Sequence, residues 1–300
     1  MKVVLAGDIA AAEWQVWRAA LAAAMPEAAL LTPDEARRAP GDVLAAVVAN
    51  PPPGGLAPFH GLRLIQSLWA GVDRLLADTT LPPGVPIARM VDPAMSAAMA
   101  ETALWATLAL HRGFFAYQRR QRAGEWRQHR QRRAEDVPVL VLGRGEMGGA
   151  VAERLRPHGY PVTTWGRDSG PLPPLLAAHE VVINLLPLTD TTRGLLDARF
   201  FAAMRAQSAL VNLGRGGHVV DADLLAALDA GHLRHAVLDV FHVEPLPAAH
   251  RFWTHPSVKM LPHAAALTDH RSASAVVAAN LRALRDGKPI AHLIDRGRGY

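Results

Sequence analysis

The sequence predicts an α/β protein of two doubly wound parallel-sheet domains, one inserted into the other. Three observations carry this. Short apolar runs alternate with helical patterns along the chain, the rhythm of parallel strands joined by crossover helices. One long helical stretch interrupts that rhythm, after which it restarts. The restart, VPVLVLGRGEMGGAVAERL over 137–155, is an apolar run, a glycine-rich turn and a helix in direct succession.

The first series opens with a strand over Lys2–Ala6. A helix follows over Ala11–Ala24, with Trp14, Trp17 and Leu21 on one face. Strands follow at Val43–Val48, ended by Asn50-Pro51-Pro52-Pro53-Gly54-Gly55, and at Leu62–Ser67. The prolines and glycine of Leu81–Pro86 make a connection, and a continuous helix is expected from about Pro93 to Gln121. The domain crossing belongs near the start of that helix, because the strand series begins again at Val137. The second series has strands at Val137–Leu142, Pro161–Trp165, Glu180–Leu185, Ala209–Asn212, His235–Val240 and Val258–Leu261. Its helices are Leu196–Arg205 and Asp221–Ala230, with Asp221 as the expected N-cap. A last helix, from about Thr268 to Arg285, returns to the first domain. The expected division is therefore 1–96 with 267–300, and 97–266.

Composition bounds the function. The chain has 300 residues, half apolar and one-fifth charged, which suits a globular protein of two ordinary domains. There is no cysteine, so thiolate chemistry and disulfides are excluded. MKVVLAGD reaches Asp8 too early for an export signal, so a cytoplasmic location is expected. The apolar stretch Ala94–Leu110 is broken by Glu101 and reads as a core or interface helix, not a membrane span. The net charge is +5, and Arg119, Arg120, Arg122, Arg127, Arg130, Arg132 and Arg133 crowd one segment. Such a run suits a nucleic-acid or membrane patch, or else a solvated or subunit-contacting face. No nucleic-acid motif accompanies it, and Glu125, Glu135 and Asp136 dilute it, which favours the second reading. Neither nucleic acid nor membrane is expected as a partner.

Gly143-Arg144-Gly145-Glu146-Met147-Gly148 fits G-x-G-x-x-G between a strand and a helix, the setting a dinucleotide-binding turn requires. Gly143 permits the tight turn, Gly145 lets the backbone approach a pyrophosphate, and Gly148 lets helix and strand pack closely. The free amides at the helix start face the anion. Without both flanks the motif would mark only a strand-to-helix turn. The remaining strand ends should gather at the same carboxyl edge. They carry Leu186, Pro187 and Thr192; then Leu213, Gly214 and Arg215; then Glu244; then His263. An Arg, a Glu and a His on three strand ends are what reduction of a 2-keto acid needs. The Arg pairs with a carboxylate, the His gives a proton to the carbonyl oxygen, and the Glu favours the protonated His. Taken singly, Arg215 is equally a surface ion-pair residue, Glu244 a turn cap and His263 one of 14 histidines.

These stretches resemble the D-2-hydroxyacid dehydrogenase family, of the glyoxylate/hydroxypyruvate reductase A type. The likeness is carried by SLWAGVD, VLGRGEMGGAVAERL, INLLPLTDTTRGLLD, LVNLGRGGHVVDADLLAALDAG, AVLDVFHVEPLP, LPHAAALT and the terminal DRGRGY. It covers the whole chain, weakly over the first sixty residues. The resemblance implies a Rossmann cofactor domain inserted in a flavodoxin-like substrate domain, and a homodimer built on the long helix. It implies Arg215, Glu244 and His263 as the catalytic set, with no metal. Asp239 is placed near the nicotinamide carboxamide, and the backbone of Ala70 and Gly71 is assigned to the substrate carboxylate. Glyoxylate and hydroxypyruvate are the implied substrates. A larger 2-hydroxy acid and a non-catalytic dinucleotide sensor stand as alternatives, the intact Arg–Glu–His set arguing against the sensor. The chain departs from the pattern at Trp69, where a small residue is usual; Trp69 either narrows the substrate pocket or packs in the first domain. Gly214 replaces the usual Ala. Arg144 within the glycine loop is unusual and meets either a phosphate or solvent.

NADPH is expected in preference to NADH. An NAD site carries an acid at the end of the second strand, to hold the ribose hydroxyls. Here Pro161–Trp165 ends in Gly166-Arg167-Asp168. Arg167 suits a 2′-phosphate. The alternative is that Arg167 faces solvent and Asp168 holds the ribose, as NADH would require.

Overall fold

The computed structural model describes residues 1–299. In chain order the first elements are β1 (Lys2–Gly7), α1 (Ala11–Ala24), β2 (Ala29–Leu31), α2 (Pro33–Ala36), β3 (Val43–Ala49), β4 (Leu64–Ser67), α3 (Asp73–Leu76) and β5 (Ile87–Ala88). Then come α4 (Pro93–His111), α5 (Phe114–Arg122), β6 (Val139–Leu142), α6 (Glu146–Leu155), β7 (Val162–Trp165), α7 (Pro173–Ala178), β8 (Val181–Asn184), α8 (Ala198–Ala203), β9 (Ser208–Asn212), α9 (Asp221–Asp229), β10 (Leu233–Leu238), β11 (Val258–Met260) and α10 (His270–Arg285). The chain forms two units: Met1–Met95, resuming at Thr268, and Ser96–Leu267.

The first unit holds a five-stranded parallel sheet in the order β2-β1-β3-β4-β5, the flavodoxin-like order. Its strands are apolar on both faces, as burial between two helical layers requires. Val4, Ala46, Val48, Ile65 and Ile87 join one core with Phe59, Leu56 and Leu75, and the alternate residues Val3, Leu5, Val47 and Leu64 are equally buried. Among the buried apolar surroundings, Asn280 of α10 donates to Gln66 Oε1 of β4 at 2.7 Å and accepts from Ala291 N at 3.0 Å.

The second unit is a six-stranded parallel sheet in the order β11-β10-β9-β8-β6-β7. Alternate residues feed two cores. Val139, Val141, Val181, Ile183, Val211 and Val237 pack with the helices α4 and α6; Leu140, Leu142, Val182, Leu210 and Leu238 pack with α8 and α9. The strand order reverses between β6 and β8, and the glycine loop follows β6 there, the position at which open α/β sheets bind ligands.

Three expectations need correction. The stretch from Pro93 to Gln121 is not one helix: it breaks at Gly113, which takes φ +69°. A Cβ there would sit 2.4 Å from the His129 ring, so the break is a left-handed glycine corner filled by a histidine. Asp221 is not a cap. It is the first residue of α9, after Val220, and its carboxylate faces His250 Nε2 at 3.3 Å and His242 Nε2 at 3.7 Å. Burial pushes that carboxyl up, and the two histidines draw it back down. The edge strands β2 and β5 are additional to the strands read from the sequence. They are three and two residues long, too short to show a period, and β5 is held by Ile294 N donating to Ile87 O at 2.8 Å.

No helix among the described residues is long and apolar enough to cross a membrane.

Candidate active site

The glycine loop is shaped by close backbone approaches. Gly143 has φ +113°, and a Cβ on it would lie 2.8 Å from Leu185 O. Its amide donates to Trp165 O at 2.8 Å, which clips the loop to the end of β7. A Cβ on Gly148 would lie 2.0 Å from Gly143 O, so α6 can start at this depth only with glycine there. Gly145, the N-cap of α6, has nothing within 4 Å of its Cβ direction. The loop therefore presents open space where its backbone must meet a ligand. Glu146 is the first residue of α6 and is exposed, while Met147 packs against the core beneath. Arg144 and Arg167 are both exposed near the end of β7.

Leu186 and Pro187 leave β8 through a loop held by its own side chains. Thr192 Oγ1 donates to Pro187 O at 2.7 Å and accepts from Thr189 N at 2.8 Å. Beneath this loop and the next lies a buried polar network that sequence reading missed. Asn184 and Asn212 are the last residues of the neighbouring strands β8 and β9 and stand in register. Asn184 Nδ2 donates to Asn212 Oδ1 at 2.9 Å and to His218 Nδ1 at 2.9 Å. The Arg215 amide also donates to His218 Nδ1, at 3.2 Å. Two donors on Nδ1 fix the tautomer, so Nε2–H donates to Pro187 O at 3.2 Å. Asn212 Nδ2 donates to Arg215 O at 3.1 Å, and its Oδ1 accepts from Gly214 N at 3.3 Å. The segment Leu213-Gly214-Arg215 is thus gripped on both sides by fully buried groups. The signal was present: an Asn closes each of two otherwise apolar strands.

Arg215 itself is half-buried, with extended backbone. One guanidinium nitrogen donates to Gly214 O at 2.8 Å. The next residue, Gly216, lies so close to the Phe241–His242 peptide that a Cβ would meet Phe241 C at 2.0 Å. This contact sets the Arg215 loop against the loop that carries Glu244.

Glu244 and His263 are brought together. Glu244 Oε2 accepts from His263 Nδ1 at 2.6 Å, and Oε1 accepts from Phe241 N at 2.9 Å. With Nδ1 engaged, Nε2 is the outward nitrogen of a ring that is 51% exposed, beside a carboxylate 35% exposed. His263 adopts φ +54°, a left-handed conformation uncommon outside glycine that histidine enters more readily than most side chains. Asp239 holds that turn. Its carbonyl accepts from His263 N at 2.8 Å, and its Oδ1 accepts from Ala264 N at 2.7 Å and Ala265 N at 3.1 Å. Burial pushes the Asp239 carboxyl up, and these amides lower it. Trp69, Ala70 and Gly71 belong to the first unit, in the turn after β4. There Ser67 Oγ accepts from Trp69 N at 3.0 Å, and Trp69 O accepts from Met90 N at 3.0 Å.

Residues 104–265 match the model of the D-isomer specific 2-hydroxyacid dehydrogenase NAD binding domain. The chain belongs to the D-2-hydroxyacid dehydrogenase family. Its relatives include the glyoxylate/hydroxypyruvate reductase A of Serratia proteamaculans, 37% identical over 95% of this chain and 96% of that protein. Among solved members of the family, a D-isomer specific 2-hydroxyacid dehydrogenase of Xanthobacter autotrophicus, in complex with NADPH and MES, superposes with a TM-score of 0.93. It is 36% identical and covers 100% of this chain and 99% of its own. The NADPH-dependent glyoxylate/hydroxypyruvate reductase of Sinorhizobium meliloti, in complex with NADP and sulfate, gives 0.91 at 32% identity, over 100% and 99% of the two chains.

Proposed function

We propose that this family member is an NADPH-dependent reductase of small 2-keto acids, with glyoxylate and hydroxypyruvate as substrates. The observation that carries the reading is the 2.6 Å pairing of His263 Nδ1 with Glu244, on the same sheet edge as the glycine loop. Relatives named for this activity, and solved relatives holding NADPH or NADP, support it.

The cofactor is assigned to Gly143–Gly148, to Leu186, Pro187 and Thr192 on the next loop, to Leu213 and Gly214, and to Arg167 for the 2′-phosphate. The open space at Gly145 and the closed approaches at Gly143 and Gly148 fit such a group. When bound, the nicotinamide supplies a hydride to the keto carbon. Arg215 neutralises the substrate carboxylate with its planar fork and polarises the adjacent carbonyl. His263 gives its Nε2 proton to the carbonyl oxygen, and Glu244 stabilises the imidazolium that must be present first. Asp239 keeps the His263 turn in register and lies where the nicotinamide carboxamide is assigned. A cytoplasmic homodimer accompanies this reading, and sedimentation of the purified chain tests the dimer.

The decisive experiment is loss of nicotinamide absorbance with glyoxylate, hydroxypyruvate, phosphohydroxypyruvate or pyruvate, run with NADPH and NADH. Turnover with the first two acids and a preference for NADPH are expected. Tight cofactor binding without turnover on any acid would instead make the protein a dinucleotide sensor. A preference for NADH would move the ribose contact to Asp168.

A further inference from the structure

Gly166 follows β7 and precedes Arg167, and its neighbour comes from the glycine loop. A Cβ built on Gly166 would lie 2.8 Å from Arg144 Nε, 3.4 Å from its Cγ and 3.5 Å from its Cδ. The Arg144 side chain therefore runs out of the glycine loop and lies across the bare backbone of Gly166. Gly166 is buried and does not occupy the left-handed region, so its conformation does not call for glycine. What the missing side chain provides is room for Arg144. The clip between Gly143 N and Trp165 O holds the two segments at this spacing.

Arg144 makes no hydrogen bond or ion pair with any described residue, yet its long side chain is laid toward the strand end that carries Arg167. A phosphate monoester carries close to two negative charges and three acceptor oxygens, and one guanidinium fork engages two of them. A second guanidinium completes the shell.

We propose that Arg144 is a cofactor-specificity residue, forming with Arg167 a two-guanidinium clamp on the 2′-phosphate of NADPH, and that Gly166 is the residue that seats it. The proposal rests on the NADPH reading above and adds to it a second arm and the glycine that makes room for that arm.

The test is the ratio of kcat/KM with NADPH to that with NADH, for wild type, Arg144→Ala, Arg167→Ala, Gly166→Ala and the double variant Arg144→Ala/Gly166→Ala. Direct binding of adenosine 2′,5′-bisphosphate and of 5′-AMP to the same proteins, free of cofactor and substrate, is measured by titration calorimetry. Arg144→Ala lowers the ratio roughly tenfold, the lower range for a charge-assisted bond at an exposed site. It weakens adenosine 2′,5′-bisphosphate more than 5′-AMP. Gly166→Ala lowers the ratio by displacing Arg144, and has no further effect once Arg144 is alanine. If Arg144→Ala weakens both cofactors and both nucleotides alike, the guanidinium lies on the shared adenosine and the clamp is wrong. If the ratio falls only in Arg167→Ala, the NADPH reading stands and the Arg144 arm does not. A wild type that prefers NADH overturns both.

Discussion

The two sheets are built alike and put their buried polar residues to different uses. In the first unit, Gln66, Asn280 and Asp92 tie α10 to a strand or to the turn before α4: Asn280 to Gln66 at 2.7 Å, and Ser272 Oγ to Asp92 at 2.6 Å. In the second unit, Asn184, Asn212, His218 and Asp239 sit at or just beyond the carboxyl ends of strands. They bond to the amides and carbonyls of the loops that carry Arg215 and His263. The first set locks the fold; the second holds the loops of the proposed site. The same chemistry, an amide or carboxylate with every partner satisfied, serves either end according to whether its partners lie in the core or on the rim.

If that contrast holds, activity and stability separate by unit. The largest effect belongs to His263→Ala, which lowers turnover roughly 10²–10⁴-fold, the range for a general acid. Because the ring is half exposed, thermal unfolding should move little; turnover near wild type would remove His263 from the chemistry. Arg215→Lys retains the charge and loses the fork, and kcat/KM should fall roughly ten- to a hundredfold. Unchanged steady-state constants would place the substrate carboxylate elsewhere.

Stability in the second unit has its own titration, away from the rim. His235 is buried in β10, facing the Phe115 ring, and is pushed down to about 4, first by burial and then by Arg234, Arg119 and Lys259, against a bond to Ser257 O that raises it. A histidine whose folded value is depressed contributes stability above its ordinary value near 6.5. That stability is lost as pH falls from there through about 4. The loss amounts to about 3 kcal/mol at one pKa unit per ~1.4 kcal/mol. Denaturant unfolding of wild type and His235→Leu between these pH values should show a slope in the first that the second lacks. Parallel curves would mean that other groups dominate acid unfolding.

Asn280→Ala is the complementary probe in the first unit. It leaves Gln66 Oε1 without its donor and should cost about 1–3 kcal/mol of unfolding free energy with unaltered kinetics. A fall in kcat with unchanged stability would break the division of labour. The smallest effect is expected from Glu244→Gln, which keeps the shape but removes the charge and leaves one acceptor for the two donors, His263 Nδ1 and Phe241 N. kcat/KM should fall by less than in Arg215→Lys, since one of the two donors on Glu244 loses its acceptor. Unchanged kcat/KM would make Glu244 a holder of the Phe241 amide alone.

Much of this was legible in the sequence, for a physical reason. Strands buried on both faces must be apolar, and Val139–Leu142 and Val43–Ala49 were readable from that alone. The loop Gly143–Gly148 was readable because two of its glycines have backbone where a Cβ would be, a constraint written directly in residue type. Arg215, Glu244 and His263 were readable as polar residues just past strand ends. Three features were not. The break at Gly113 depends on the ring of His129, sixteen residues on, filling the corner. The short strand β5 is held between β4 and the C-terminal segment, which a two-residue stretch of sequence does not announce. The Asn184–Asn212–His218 network joins three segments whose only sequence trace is a pair of asparagines ending apolar strands.

By itself, then, the sequence determined the two parallel-sheet units, the glycine turn between strand and helix, and the places of Arg215, Glu244 and His263 just past strand ends. Each follows from local constraints: periodicity, burial and missing side chains. The tertiary structure decided which groups those residues face. It put Glu244 on His263 Nδ1 and so left Nε2 outward, set the His218 tautomer through Asn184 and the Arg215 amide, and laid Arg144 over Gly166. Such pairings join residues far apart in the chain, and they are set by strand register and loop packing, which no local pattern specifies.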